Sequence, residues 1–96
     1  MDYIAFMHRN EQTPSGNEEW ENFFELAKAS GLFRGRSAIG KRIVVGKQDV
    51  PDTTINIGGY MRFEADTFEE LNNLLQHHPG VKHGGAVEVC ELPRTS

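Results

Sequence analysis

Apolar and polar positions change their period several times along this chain, and each change marks an element. Asp2 to His8 (DYIAFMH) is an apolar run of strand length with apolar side chains on both faces, as suits a central strand covered on both sides. From Ser15 to Ser30 the period becomes helical, with Trp20, Phe23, Phe24 and Ala27 at i, i+3, i+4 and i+7 in one stripe. Ser15 and Glu18 have the spacing of a capping box. Gly31 stands where a left-handed residue ends a helix, with Leu32 placed to fold back onto it. An aromatic stripe at this spacing is core, and no chemistry is assigned to it.

Leu32 to Ile39 reads as a second strand weakened by Gly35, with Phe33, Gly35, Ser37 and Ile39 on one face and Leu32, Arg34, Arg36 and Ala38 on the other. Arg42 to Val45 has the pattern of a short hairpin arm, and Gly46 to Thr54 (GKQDVPDTT) is a polar loop of the kind that carries function on a rigid frame. Thr54 to Ala65 is the third main strand. Its apolar face is Ile57, Gly59, Met61, Phe63 and Ala65, and its other face is Tyr60, Arg62 and Glu64. Asp66 or Thr67 caps a second helix whose stripe is Phe68, Leu71, Leu74, Leu75 and His78. Pro79-Gly80 ends that helix, Lys82 to Gly85 turns the chain, and Gly85 to Leu92 is the last strand. Residues 94–96 read as a tail on a single domain spanning 1–96.

Strand, helix, strand, strand, helix, strand is the order of an α+β ferredoxin-like domain, two split β-α-β units with both helices on one face of an antiparallel sheet. Right-handed crossovers then give the strand order 4-1-3-2. This order brings His8, His77, His78 and His83 to one end of the sheet, and the loop bearing Asp49 and Asp52 arrives there too. Histidine beside carboxylate is equipment for proton transfer near neutral pH. That makes His8 and His78, with Asp49 and Asp52, the candidate catalytic groups. The alternative reading is four separate surface histidines, with His78 capping the last turn of the second helix. The spacing from His77 to His83 matches no recurrent zinc pattern, and no metal or cofactor is expected.

The open face of the sheet is expected to carry Tyr60, Arg62, Glu64, Glu88, Arg34, Arg36, Ala86 and Cys90. Tyrosine with arginine suits an anionic or aromatic small molecule, so Tyr60, Arg62, Arg36 and His83 are candidate ligand contacts. Pairing of Arg with Glu across strands or across a dimer interface is the competing reading. Cys90 stands among Glu88 and Glu91, whose charge disfavours a thiolate nucleophile.

Composition narrows the partners. The chain has 96 residues with a net charge of −4, so no general attraction to nucleic acid or anionic membrane is expected. The third strand also reads Gly58-Gly59-Tyr60-Met61-Arg62-Phe63, which is not the aromatic signature of an RNA-recognition strand. No apolar run approaches membrane length, and one cysteine suits a reducing cytoplasm. Apolar residues make up 38%, a low share that points to core completed by a second chain.

Gly58-Gly59-Tyr60 in a strand, Asp66-Thr67-Phe68-Glu69-Glu70 opening a helix, His78-Pro79 closing it, and Gly84-Gly85-Ala86-Val87-Glu88-Val89 as the last strand together resemble the YCII-related (DGPF) family. Tyr3 to Asn10 is similar to that family's first strand. The resemblance implies a dimeric α+β barrel in which two ferredoxin-like subunits pack sheet against sheet, each with a cleft. It also implies a His–Asp pair in the cleft wherever the family does chemistry. Two features of the family are absent: Asn17 to Ser30 contains no histidine, and Asp49-Val50-Pro51-Asp52 stands where Asp-Gly-Pro-Phe is expected. The expectation is a small cytoplasmic homodimer whose cleft binds a small polar or aromatic molecule, with His/Asp acid–base chemistry as one outcome. The other is a non-catalytic ligand-sensing or accessory module.

Overall fold

The computed structural model describes residues 1–48 and 50–94, so Asp49 of the expected aspartate loop lies outside it. Its elements are β1 (Asp2–His8), α1 (Asn17–Ala29), β2 (Phe33–Ala38), a 3-10 turn (Asp52–Asn56), β3 (Ile57–Glu64), α2 (Phe68–Leu75), α3 (Pro79–Lys82) and β4 (Val87–Leu92). The strands form one antiparallel sheet in the order β2-β3-β1-β4, the 4-1-3-2 order expected from the chain. Dyad alternation separates the two faces of the central strands. Tyr3 and Ala5 of β1 and Met61 and Phe63 of β3 are buried with Phe23 and Ala27 of α1 and Leu71, Leu74 and Leu75 of α2.

Local chemistry moves several boundaries. Helix α1 starts at Asn17 with Gly16 as its N-cap, and the carboxylate that accepts the Gly16 N–H at 3.3 Å belongs to Glu19, not Glu18. Ser15 instead accepts the Trp20 indole N–H at 3.0 Å. The helix ends as expected, on Gly31 with φ +77°. Thr67 caps α2 by accepting the Glu70 N–H at 3.3 Å, while Glu70 accepts the Asp66 N–H at 3.3 Å. Residues 54–56 belong to the 3-10 turn, so β3 begins at Ile57, and β4 begins at Val87. Arg42 to Val45 is not a hairpin arm in this chain and joins no strand.

The correction with most consequence is in β2. Phe33 pairs with Phe63 and Gly35 with Arg62, so two steps along β2 match one along β3, which is a β-bulge. Gly35 has φ +147°, a conformation that side-chain-bearing residues rarely adopt. Beyond the bulge the faces exchange. Arg36 pairs with Met61 and Ala38 with Gly59, so Arg36 lies on the helix-covered face and not with Arg34 on the open one.

A pair of glycines closes the fold near the last strand. A Cβ at Gly84 would stand 2.7 Å from Gln12 Cγ, and one at Gly85 would stand 2.9 Å from the Gly80 carbonyl oxygen. The turn before β4 therefore packs backbone against backbone on the loop after β1, where Gln12 N–H donates to the His83 carbonyl at 2.8 Å.

Gly35→Ala should cost about 1–2 kcal/mol in urea unfolding, because alanine is strained at this φ. A loss under about 0.3 kcal/mol would show that the bulge does not depend on glycine.

Candidate functional site: a cavity beneath the first helix

Small side chains on the sheet leave a space under α1. Ala5 of β1, Ala38 of β2 and Gly59 of β3 line a cavity of about 290 Å³, together with Met7 and Met61 and with Trp20 and Phe24 from the helix. His78, Arg36, Ser37 and Tyr60 are its polar lining residues, and no carboxylate is among them. Trp20 and Phe24 are only half-buried although they stand on the core stripe of α1, so the stripe serves both the core and the cavity.

His78 is the group the fold fixes most firmly. It precedes Pro79, whose ring occupies the first position of α3, where the missing N–H costs nothing. From this N-cap position Nδ1 accepts the Gly80 N–H at 3.0 Å. The imidazole is 2% exposed and stands edge-on to Trp20 at 4.9 Å and to Phe23 at 5.0 Å between ring centroids. Burial pushes its pKa down to about 4, because the charged form has no compensating solvent. An acceptor Nδ1 carries no proton, so the neutral ring holds its hydrogen on Nε2. That Nε2 has no hydrogen-bond partner among the described residues, where no buried side-chain nitrogen is left unsatisfied, so it opens on the cavity. The reading of His78 as a cationic cap on the end of α2 is thus replaced by a neutral cap on the start of α3.

Arg36 supplies the charge. Its guanidinium carbon lies 3.9 Å from the centroid of the Phe24 ring, a stacked cation–π geometry that holds the head group beside the cavity. The cavity thus combines aromatic walls, a neutral N–H donor and a cation.

The other candidates take separate places. His8 is on the open face, with Nε2 2.8 Å from Glu88 Oε1. His83 is held between Thr13, 2.8 Å from its Nδ1, and Glu19, 2.6 Å from its Nε2, so it ties the turn before β4 to the start of α1. That hydrogen bond, with a second from the Gly16 N–H, holds the Glu19 carboxyl below the usual carboxylate range. His77 is exposed beside the second helix. The four histidines share an end of the sheet but form no cluster. Asp52 opens the 3-10 turn. Tyr60 borders the cavity from β3, between Phe6 and Ser37 in the sheet. Arg62 is on the open face, where its Nη2 donates to the Arg34 carbonyl at 3.5 Å.

The residue pattern missed Trp20 and Phe24 as cavity walls and placed Arg36 on the wrong face. Gly35 within a strand was the available signal, since an isolated glycine there often marks a bulge.

No family model matches the chain, and no curated protein matches it. Among solved structures the chain is similar to 5-chloro-2-hydroxyhydroquinone dehydrochlorinase (TftG) of Burkholderia phenoliruptrix AC1100, solved in complex with 2,5-dihydroxybenzoquinone. The two share 16% identity at a TM-score of 0.54, over 99% of this chain and 96% of that one. TftG has the YCII-related type of fold, and at this identity the likeness shows the fold alone.

In nitrogen-15 NMR, His78 should keep the neutral Nε2–H form until the pH nears 4. The folded pKa lies below the unfolded value, so the stabilisation is present above about pH 6.5 and is lost as pH falls toward the folded pKa. Its size is on the order of 3 kcal/mol. The stability difference between the wild type and His78→Phe should therefore shrink from pH 7 to pH 4.5. A His78 resonance titrating near the ordinary histidine value would refute the assignment.

Proposed function

We propose that this chain is a member of the YCII-related family. In this reading it forms a cytoplasmic homodimer through the open face of its sheet and binds a small planar molecule with an anionic oxygen in the cavity beneath α1. Arg36 takes the anionic oxygen, Trp20 and Phe24 flank the ring, and His78 donates Nε2–H to a second oxygen. The observation that carries this reading is the lining itself: aromatic walls, a cation with neutral polar groups, and no carboxylate. Such a lining favours an oxygen-rich anion and disfavours a cation, because buried acceptors on the ligand find partners and a positive charge does not.

The homodimer rests on the open face. Ile4, Phe6 and Tyr60 are half-buried there with no second layer above them among the described residues, and β1 is apolar on both faces as a covered central strand would be. The fold likeness to TftG supports family membership, and the planar oxygen-rich ring held by that protein, 2,5-dihydroxybenzoquinone, belongs to the ligand class proposed here. No helix among the described residues is long and apolar enough to cross a membrane.

The role proposed for His78 is hydrogen-bond donation and not proton relay with an aspartate. Its Nδ1 is committed to the Gly80 N–H, and no carboxylate among the described residues hydrogen-bonds its ring. An enzymatic reading is supported by the same feature. A neutral imidazole N–H fixed against a helical turn can stabilise negative charge that develops on a bound oxygen.

Trp20 is the chain's one tryptophan and lines the cavity, so its fluorescence reports binding directly. Benzoate and salicylate should quench it saturably, and benzylamine should not. Arg36→Gln should weaken anion binding by about tenfold or more, the loss of one charge-assisted contact. Equal binding of the amine, or unchanged affinity in Arg36→Gln, would refute the ligand class.

A further inference from the structure

Three side chains outside the cavity form a relay that the ligand reading does not use. Thr13 Oγ1 stands 2.8 Å from His83 Nδ1, and His83 Nε2 stands 2.6 Å from Glu19 Oε2. None of the three lines the cavity beneath α1. They come from the loop after β1, the turn before β4 and the first turn of α1, so folding and not sequence spacing brings them together. The backbone already joins the two loops, because the N–H groups of Gln12 and Thr13 donate to the His83 carbonyl at 2.8 and 3.3 Å. Holding the turn in place therefore does not require the side-chain relay.

The hydrogen bonds decide where each proton lies. The bond from His83, and after it the Gly16 N–H, holds the Glu19 carboxyl below the usual carboxylate range, so near neutral pH it is ionised and only accepts. In the neutral ring Nε2 therefore carries the hydrogen and Nδ1 keeps its lone pair. The Thr13 hydroxyl then donates to Nδ1. A hydroxyl that donates to an imidazole, which donates in turn to a carboxylate, is the arrangement of a nucleophile, its base and the group that orients the base. Thr13 is exposed while His83 and Glu19 are partly buried, so the hydroxyl is the end of the relay that a reactant can reach. Among the described residues the N–H groups of Ser15, Asn17 and Glu18 have no acceptor within the protein, which leaves donors for a developing oxyanion close to Thr13 in the chain.

We propose that Thr13 is the nucleophile of an acyl-transfer site for small uncharged esters. Glu11 and Glu18 flank this stretch beside Glu19, so a negatively charged donor is disfavoured, in contrast to the cavity. Thr13 Oγ1 bonds to the ester carbonyl carbon as its proton passes to His83 Nδ1, and Glu19 stabilises the imidazolium. The bond from that carbon to the leaving alcohol breaks, and the alcohol takes the proton from Nδ1. Water then attacks the acyl carbon with its proton passing to the same nitrogen, the acid departs, and Thr13 regains its hydrogen. The site does not depend on the ligand proposed for the cavity.

Para-nitrophenyl acetate supplies an uncharged activated ester for the test. The wild type should hydrolyse it saturably, and a reaction stopped early with acid should leave an acetyl group on the peptide that contains Thr13, read by mass spectrometry. Thr13→Ser should keep the activity, and Thr13→Ala should lower it by about tenfold or more. Glu19→Gln keeps an acceptor for the Nε2 hydrogen but removes the charge, and it should lower the rate by about tenfold or more with far-UV circular dichroism unchanged. A rate that survives Thr13→Ala would assign the hydrolysis to an imidazole acting alone and overturn the proposal. So would a wild type no faster than buffer, an acetyl group found only on lysines, or a wild-type rate in Glu19→Gln.

Discussion

The hydrogen bond from the Gly80 N–H to His78 Nδ1 fixes the end of the sheet at which the cavity lies. It caps α3, it decides which nitrogen of the imidazole carries the proton, and it lets a polar ring lie 2% exposed in an aromatic environment. Glycine at position 80 belongs to the same constraint, since a Cβ there would stand 3.1 Å from the imidazole. The contact propagates along the chain. The Gly80 carbonyl accepts the Gly85 N–H at 2.8 Å, and Asn10 Oδ1 accepts the Ala86 N–H at 3.0 Å, so the turn that seats β4 beside β1 is referenced to the capped histidine. A charged imidazole would weaken the arrangement from within, because Nδ1 would then present a hydrogen to a donor.

The cavity's electrostatic character comes from a different constraint, the bulge at Arg34–Gly35. The chain as a whole is acidic, at −4, and gives no hint that its cavity is lined by a cation and a donor. One extra residue in β2 turns Arg36 to the helix side, where Phe24 holds its guanidinium by the ring face. Without that extra residue Arg36 would share the open face with Arg62 and Glu64, and the cavity would lose its cation. The sign of the cavity's charge is therefore set by backbone geometry at a glycine and not by the count of charges.

What was legible in the sequence follows from how local each signal is. The faces of β1 and β3, the Thr67 cap and the Gly31 stop depend on near neighbours, and the period-2 and period-3.6 patterns disclosed them. Element order disclosed the sheet order, through the rule on crossover handedness. The bulge was not legible in full, because its effect depends on which residue of β3 stands opposite, and Gly35 alone does not say where pairing resumes. His78-Pro79 was read as the end of a helix because proline restricts the residue before it. The same dipeptide also fits an N-cap and first position, and only the Gly80 contact distinguishes the two. Glu19 replaced Glu18 in the cap because His83, distant in sequence, holds the Glu19 carboxylate in place.

The gathering of four histidines at one end of the sheet followed correctly from topology, yet topology says nothing of which face each one takes. A sheet is a partition. His8 is an even-numbered residue of β1 and falls on the face opposite Tyr3, Ala5 and the cavity, with Glu88 as its neighbour. His83 is occupied on both nitrogens, which leaves His78 as the one histidine that lines the cavity. A relay between His8 and His78 would have to pass through the sheet. In the reading proposed above, the open face, with its paired charges and half-buried Ile4 and Phe6, meets a second copy, and the covered face holds the small ligand. Because Tyr60 and Gly59 are consecutive residues of β3 on opposite faces, a ligand at the cavity floor and a partner on the open face would press on the same strand from its two sides.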